Sequence, residues 1–387
     1  MEADQEILKM YQKQHSSLKY KETKYRVIIS GGGTGGHIYP AIAIANKLKE
    51  RMPNIEILFV GAKGKMEMQK VPEGGFPIKG IWISGIRRKR SITNLLFPLK
   101  LLISLVQSYV IIAKFRPDVA VGVGGFASGP LLWTTSFFRI PTLIQEQNSY
   151  AGITNKLLAK KVDKICVAYD NMERFFPKDK IIKTGNPVRE DILDIDNRKT
   201  AALKFFNFDQ DKKTVFVMGG SLGAKTVNIS VFNNVQKIID EDVQLVWQIG
   251  KIYFDDYEQK MKSYDVSRLR MYDFLREIDL AYAMADVIVS RAGALSISEL
   301  TIVGKPVVLI PSPNVAEDHQ TKNAEALTSN DAAILITDQE APEKLVDTVL
   351  KILEDKNKMQ DLGTNIKRLA LTGATEKIVD EIEKLLN

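Results

Sequence analysis

Short apolar runs bounded by glycine, proline or polar residues recur along this chain, and stretches with helical spacing of apolar positions lie between them. In the first half the runs fall at residues 26–30, 55–60, 119–123, 142–145, 164–168 and 181–184, with helices at 39–51 and 155–160. The second half repeats the pattern, with runs at 214–218, 243–248, 269–272, 287–290, 307–310 and 333–336. Near-continuous apolar strands alternating with helices predict parallel sheets covered by helices on both faces. At 387 residues the chain is long for one core, so two α/β domains are expected. Gly185-Asn186-Pro187 marks the boundary. The expected parts are an extension (1–24), a first domain (25–188) and a second domain (189–371). An amphipathic helix over 372–387 could dock on either domain, with the first as its expected host.

Residues 91–115 are rich in apolar side chains, but Pro98, Lys100 and Gln107 interrupt them, which argues against a membrane span. Four cations, Arg87, Arg88, Lys89 and Arg90, precede the stretch. Two compatible readings stand. One is a buried helix after a solvated basic turn. The other shows Ile92, Leu95, Leu96 and Phe97 to a bilayer while the cations meet anionic head groups, each contributing on the order of 1 kcal/mol.

Charge is unevenly placed. Residues 1–190 hold 30 Lys and Arg against 15 Asp and Glu, while residues 191–387 hold 24 against 32. A basic half joined to an acidic half implies an anionic partner for the first. Without an RNA-binding signature or zinc finger, nucleic acid is disfavoured. The single cysteine, Cys166, permits no intramolecular disulfide and no cysteine-based zinc site.

Three glycine-rich turns each follow a strand: Gly31-Gly32-Gly33-Thr34-Gly35-Gly36, residues 122–129, and Gly219-Gly220-Ser221-Leu222-Gly223. Such turns put backbone N–H groups beside the positive end of a helix, which suits phosphate. The first formally matches the dinucleotide fingerprint, yet the second strand ends Leu58-Phe59-Val60-Gly61 with no acid for a ribose. That argues against a dehydrogenase. His37 closes the turn at a helix start, where the dipole keeps it neutral. It serves there as a general base or as a cap. Glu146 and Asn148 follow a strand and serve either a ligand or the turn itself. In the second half Ser221 offers a hydroxyl, small residues open a helix after Ser290, and Glu299 lies one turn into it, placed to hold a ribose diol.

These stretches resemble the MurG family, the UDP-N-acetylglucosamine:undecaprenyl-diphospho-muramoylpentapeptide N-acetylglucosaminyltransferases of bacterial peptidoglycan synthesis. The resemblance rests on GGGTGGHIYPA (31–41), GVGGFASGP (122–130), QEQNSYAGITNKLLA (145–159), GNPVR (185–189), MGGSLGA (218–224), ADVIVSRAGALSISEL (285–300) and DHQ (318–320). It implies two Rossmann-like domains facing a cleft (the GT-B fold) and a peripheral enzyme on the cytoplasmic face of the inner membrane. By the same resemblance Glu299 would hold the ribose of UDP-GlcNAc and the Leu275 backbone its uracil. Ser221 and Arg189 would meet the diphosphate, and Ala294, Leu295, Ser296 and Gln320 would surround the GlcNAc. Thr34, Gly35, Gly36 and Asn148 would reach the donor or the acceptor, lipid I. Phe126 stands where the family often has tyrosine, and residues 1–24 exceed the usual start.

The implied reaction is an inverting, single displacement. The C4 hydroxyl of the muramoyl sugar attacks the anomeric carbon and UDP leaves, giving lipid II. His37 is the first candidate base and Glu146 the second, with no tightly bound metal or other cofactor required and hinge motion at 186–191. Alternatives with the same fold are a glycolipid glycosyltransferase, a UDP-GlcNAc epimerase, or a non-catalytic nucleotide-sugar-binding scaffold.

Overall fold

The computed structural model describes residues 24–85, 96–220, 222–315 and 318–386. Ser221, the cations Arg87 to Arg90, Ile92 and Leu95 therefore lie outside the described residues. The chain divides into two units, residues 1–188 with 373–387, and residues 189–372.

In the first unit β1 (Arg26–Ser30) leads to α1 (Gly35–Arg51), β2 (Glu56–Ala62) to α2 (Glu67–Glu73), and β3 (Ile78–Ile81) to α3 (Phe97–Phe115). Then follow β4 (Val119–Gly122), α4 (Ser128–Phe137), β5 (Thr142–Glu146), α5 (Ile153–Leu158), β6 (Lys164–Val167) and β7 (Ile181–Lys183). All pair in parallel in the order β3-β2-β1-β4-β5-β6-β7. Val27 and Ile29 of β1 enter one core and Ile28 the other, so the strand is buried on both faces and reads as an unbroken apolar run. β3, Ile-Lys-Gly-Ile, carries no such run: it is a half-exposed edge strand, and nothing in its composition announces it.

The second unit holds α6 (Lys199–Phe206), β8 (Thr214–Met218), α7 (Lys225–Asn233), α8 (Val235–Asp240), β9 (Gln244–Gln248), α9 (Phe254–Met261) and β10 (Leu269–Tyr272). It continues with α10 (Ile278–Met284), β11 (Val287–Ser290), α11 (Ala294–Val303), β12 (Val307–Leu309), α12 (His319–Thr328), β13 (Ile334–Leu335), α13 (Ala341–Glu354) and α14 (Lys356–Arg368). Its six-stranded parallel sheet runs β10-β9-β8-β11-β12-β13. In each sheet the order reverses at the central pair, β1/β4 and β8/β11. In open parallel sheets ligands bind beyond the strand C-termini at such a switch point.

The last helix, α15 (Ala374–Leu386), joins the first unit. Its Ile378, Val379 and Ile382 are fully buried beside Ile44 and Leu48 of α1, and Arg51 contacts Asp380 at 2.5 Å and Glu383 at 3.5 Å. Helix α3 corrects the buried-helix reading. Only Ser104, Ser108 and Ile112 are buried, while Leu99, Leu102, Val106, Tyr109 and Val110 form an exposed stripe at helical spacing. By length and composition alone this helix could cross a membrane, but its serine face lies against the fold. Ser104, Ser108 and Ile112 face the fold, with Phe97, Leu101, Ile111 and Phe115 packed partly against the core beside them.

Candidate active site

The first unit brings its motifs together because β1, β4 and β5 are neighbours: Ser30 pairs with Gly122, and Gly122 with Ile144. The glycine turn after β1, the turn after β4 and Gln145–Asn148 thus share one edge. The two turns touch backbone to backbone. Gly125 has φ +89° and a Cβ there would collide with the Gly32 peptide, so only glycine fits. Ser128 Oγ donates to Ser30 O at 3.0 Å and to Gly124 O at 2.8 Å, tying the turns to β1.

His37 is half-buried at the third position of α1, beyond the exposed N-cap Thr34 and the glycines Gly35 and Gly36. Its imidazole lies over Gly124, where a Cβ would come within 2.8 Å of Nε2. Nδ1 is 3.1 Å from Gly32 O and 3.3 Å from Thr34 Oγ1. A carbonyl only accepts, so its contact assigns the proton to Nδ1 and the lone pair to Nε2.

No acid for a ribose ends β2, but a buried acid from farther along the chain lies beneath the glycine turn. Glu67, only 1% exposed, opens α2 and turns back beneath the glycine turn. Its Oε2 accepts from Gly33 N–H at 2.9 Å and its Oε1 from Ala62 N–H at 3.0 Å. A loop N–H that the glycine pattern offers to phosphate is therefore occupied by a carboxylate of the protein. The visible signals were the glycines that make room for it: a Cβ at Gly32 or Gly61 would run into the Glu67 side chain.

Glu146 is 2% exposed. Oε1 accepts from Asn148 N–H at 3.0 Å and from its side-chain amide at 3.3 Å; Oε2 accepts from Gly152 N–H at 3.0 Å and Asn155 Nδ2 at 2.9 Å. Gln145 and Gln147 bond Asn186, which secures the end of β5 to the segment ahead of the unit boundary.

The second unit gathers the other set. β8 and β11 are paired, Met218 with Ser290, so the turn at Gly219–Gly223 and the start of α11 lie side by side. Ala294, Leu295 and Ser296 are partly exposed in the first turn of α11, where helix N–H groups have no intrahelical acceptor. Glu299 lies one turn deeper. Its Oε2 accepts from Tyr282 OH at 3.1 Å and its Oε1 lies 3.3 Å from Arg189 Nε. Burial pushes the Glu299 carboxyl up, against the opposing pull of Arg189 and Tyr282. Burial and the neighbouring carboxylate push the Tyr282 hydroxyl well above its usual range. Tyr282 carries no local motif; its role follows from α10 packing beside β8.

Leu275 is fully buried and donates its N–H to Gln248 Oε1 at 3.2 Å. Gln320, in the first turn of α12, accepts from Ser312 N–H at 2.8 Å, and Asn323 Nδ2 reaches Ala292 O at 3.3 Å. Arg291 is structural: it donates to Ile310 O and Pro311 O at 3.1 Å and to Asp338 at 2.5 Å. Among the described residues no three His, Cys, Asp or Glu side chains converge to hold a metal ion.

Residues 27–167 match the N-terminal domain, and residues 214–378 the C-terminal domain, of glycosyltransferase family 28. A UDP-N-acetylglucosamine–N-acetylmuramyl-(pentapeptide) pyrophosphoryl-undecaprenol N-acetylglucosamine transferase of Christiangramia forsetii is 56% identical over 94% of this chain and 98% of its own. The enzyme of that name from Flavobacterium psychrophilum is 54% identical over the same shares. The crystal structure of Acinetobacter baumannii MurG superimposes with a TM-score of 0.75 at 25% identity, covering 94% of this chain and all of that one. With both domains matched and relatives more than half identical over nearly its whole length, the chain belongs to glycosyltransferase family 28.

Proposed function

We propose that this protein transfers GlcNAc from UDP-GlcNAc to the muramoyl sugar of lipid I, the undecaprenyl-diphosphate-linked MurNAc-pentapeptide, and so makes lipid II for peptidoglycan. The observation that carries the reading is the gathering of the motifs at both sheet switch points, in a chain so close to enzymes of that name.

The second unit takes the donor. The Glu299 carboxylate accepts from the ribose diol, and the Leu275 backbone meets the uracil. The diphosphate lies at the turn holding Ser221, near Arg189 and the positive ends of α7 and α11; Ala294, Leu295, Ser296 and Gln320 surround the GlcNAc. As UDP leaves, those N–H groups and Arg189 meet the growing charge without reorganisation, and the reading requires no resident metal or other cofactor. The first unit takes the acceptor, with Thr34, Gly35, Gly36 and Asn148 toward the substrates. His37 Nε2 accepts the C4 hydroxyl proton as oxygen attacks the anomeric carbon and inverts it. Glu146, whose oxygens already accept four N–H bonds, holds the 148–155 loop in place.

The acceptor's prenyl chain is in lipid, and the exposed stripe on α3 suits the bilayer surface. Phe137, 71% exposed, and Phe138 extend it. Tyr109 and Phe138 are 5.2 Å apart, and Lys161 sits 4.1 Å over Trp133, an aromatic–cation rim of the kind found at head groups. Leu96 begins the stripe while Phe97 packs partly against the core, and Arg87, Arg88, Lys89, Arg90, Ile92 and Leu95 precede it in sequence. The protein thus works as a peripheral enzyme on the cytoplasmic face of the inner membrane.

The test is transfer of labelled GlcNAc to a short-chain lipid I analogue. His37→Ala is expected to lower kcat by about two to four powers of ten. Near-normal turnover in that variant, with loss in Glu146→Ala, would overturn the choice of base.

A further inference from the structure

Glu67 and His37 are joined through one peptide. Gly33 N–H, which donates to Glu67 Oε2, and Gly32 C=O, which accepts from His37 Nδ1, belong to the same peptide unit. In a trans peptide these two groups point in opposite directions. The carboxylate, the peptide and the imidazole therefore form a continuous line, about 8 Å from carboxylate oxygen to Nδ1 from bond geometry and the two contacts.

We infer that Glu67 is a positioning residue for the transfer reaction, acting on His37 through the Gly32–Gly33 peptide. This deepens the reading above and rests on His37 being the base. Two observations and one physical argument carry it. First, both carboxylate oxygens are spent on backbone N–H groups, one on the glycine turn and one at Ala62 on β2, so Glu67 fixes where the turn sits. Second, the site is built for that group: Gly32 and Gly61 leave the space its side chain fills. Third, the electrostatics need it. A helix start lowers the proton affinity of an imidazole, yet a base must carry the proton in the transition state. A buried negative charge polarises the intervening peptide, makes Gly32 C=O a stronger acceptor, and favours the protonated ring. The same carbonyl holds Nδ1 protonated and turns Nε2 toward the lone-pair role.

The experiment uses the full chain, labelled with 15N-histidine, and the variants E67Q, H37A and E67Q/H37A. The sequence has three histidines, so H37A assigns the His37 signals directly. Wild-type neutral His37 should be mainly the Nδ1–H tautomer, and E67Q should raise the Nε2–H share. In the transfer assay E67Q should lower kcat about tenfold, the scale of residues that orient a functional imidazole. Both KM values should stay within about twofold, with the thermal transition retained. On the H37A background E67Q should cost nothing further, because its effect passes through His37. A full additional loss in the double variant, or an Nε2–H tautomer in the wild type, overturns the inference; the latter measurement needs no variant to fold. Retained kcat in H37A sinks the assignment of the base instead, and the tautomer ratio then still judges the relay.

Discussion

Replacing Glu299 by glutamine separates the donor-binding role proposed for the carboxylate from what it does for the fold. In the free protein it accepts from Tyr282 OH at 3.1 Å and faces Arg189 Nε at 3.3 Å. A ribose diol would give it two charge-assisted bonds, each about 1.5–3 kcal/mol. Glutamine keeps one neutral acceptor and loses the other, so UDP binding should weaken by about 2–3 kcal/mol, or about 30–150-fold in Kd. The ribose is remote from the reacting carbon, so its bonds are equal in ground and transition states. KM for UDP-GlcNAc should rise while kcat at saturating donor holds. Stability should move the other way. Burial raises the folded-state pKa of Glu299 above its unfolded value. Its favourable contribution is then complete below the unfolded pKa and is lost as pH rises through the raised value. At neutral pH the charge is a net cost to the free protein, so E299Q should melt no lower than wild type and the difference should shrink in acid. Titration calorimetry with UDP and thermal melts at neutral and acid pH test both halves. Unchanged UDP affinity with a fall in kcat, or a lower melting temperature at neutral pH, would refute the reasoning.

Other consequences are equally direct. Leu102→Asp and Val106→Asp replace side chains 61% and 58% exposed; they should leave stability within about 0.5 kcal/mol but sharply reduce co-sedimentation with anionic vesicles, while activity on a water-soluble acceptor persists. Ile382→Ala removes a fully buried side chain of α15 and should cost the first unit about 2–5 kcal/mol in denaturant melts. The Cys166 thiol, pushed by burial up to about 12, should resist alkylation at pH 8 in the folded protein and react once urea exposes it.

Every strand of the two sheets but β3, their parallel pairing and the place of the glycine turns were legible in the residues. Those features depend on short-range causes: apolar periodicity, the φ a glycine allows, and the helix that follows each turn. Strands flush with such runs, as at β1 and β8, have clear edges, while β3, with Lys79 and Gly80 inside it, has no local signature and is set by its neighbour β2. The candidate residues His37, Glu146 and Glu299 could be singled out because each lies at or soon after the C-terminal end of a strand, close to a turn.

Contacts across the fold were not. Glu67 meets Gly33 across 34 residues, and Tyr282 meets Glu299 across 17. No local pattern encodes such pairs, because they exist only when strand order brings separate turns to one edge and burial strips water from the groups that meet there. For the same reason composition alone could not tell which face of α3 is covered. Ser104, Ser108 and Ile112 are covered while Leu99, Leu102 and Val106 are not, a split set by which face meets the fold and not by residue type. Periodicity fixes what each segment can be; the tertiary structure fixes which polar groups must satisfy one another, and in this protein that choice determines how His37 is held.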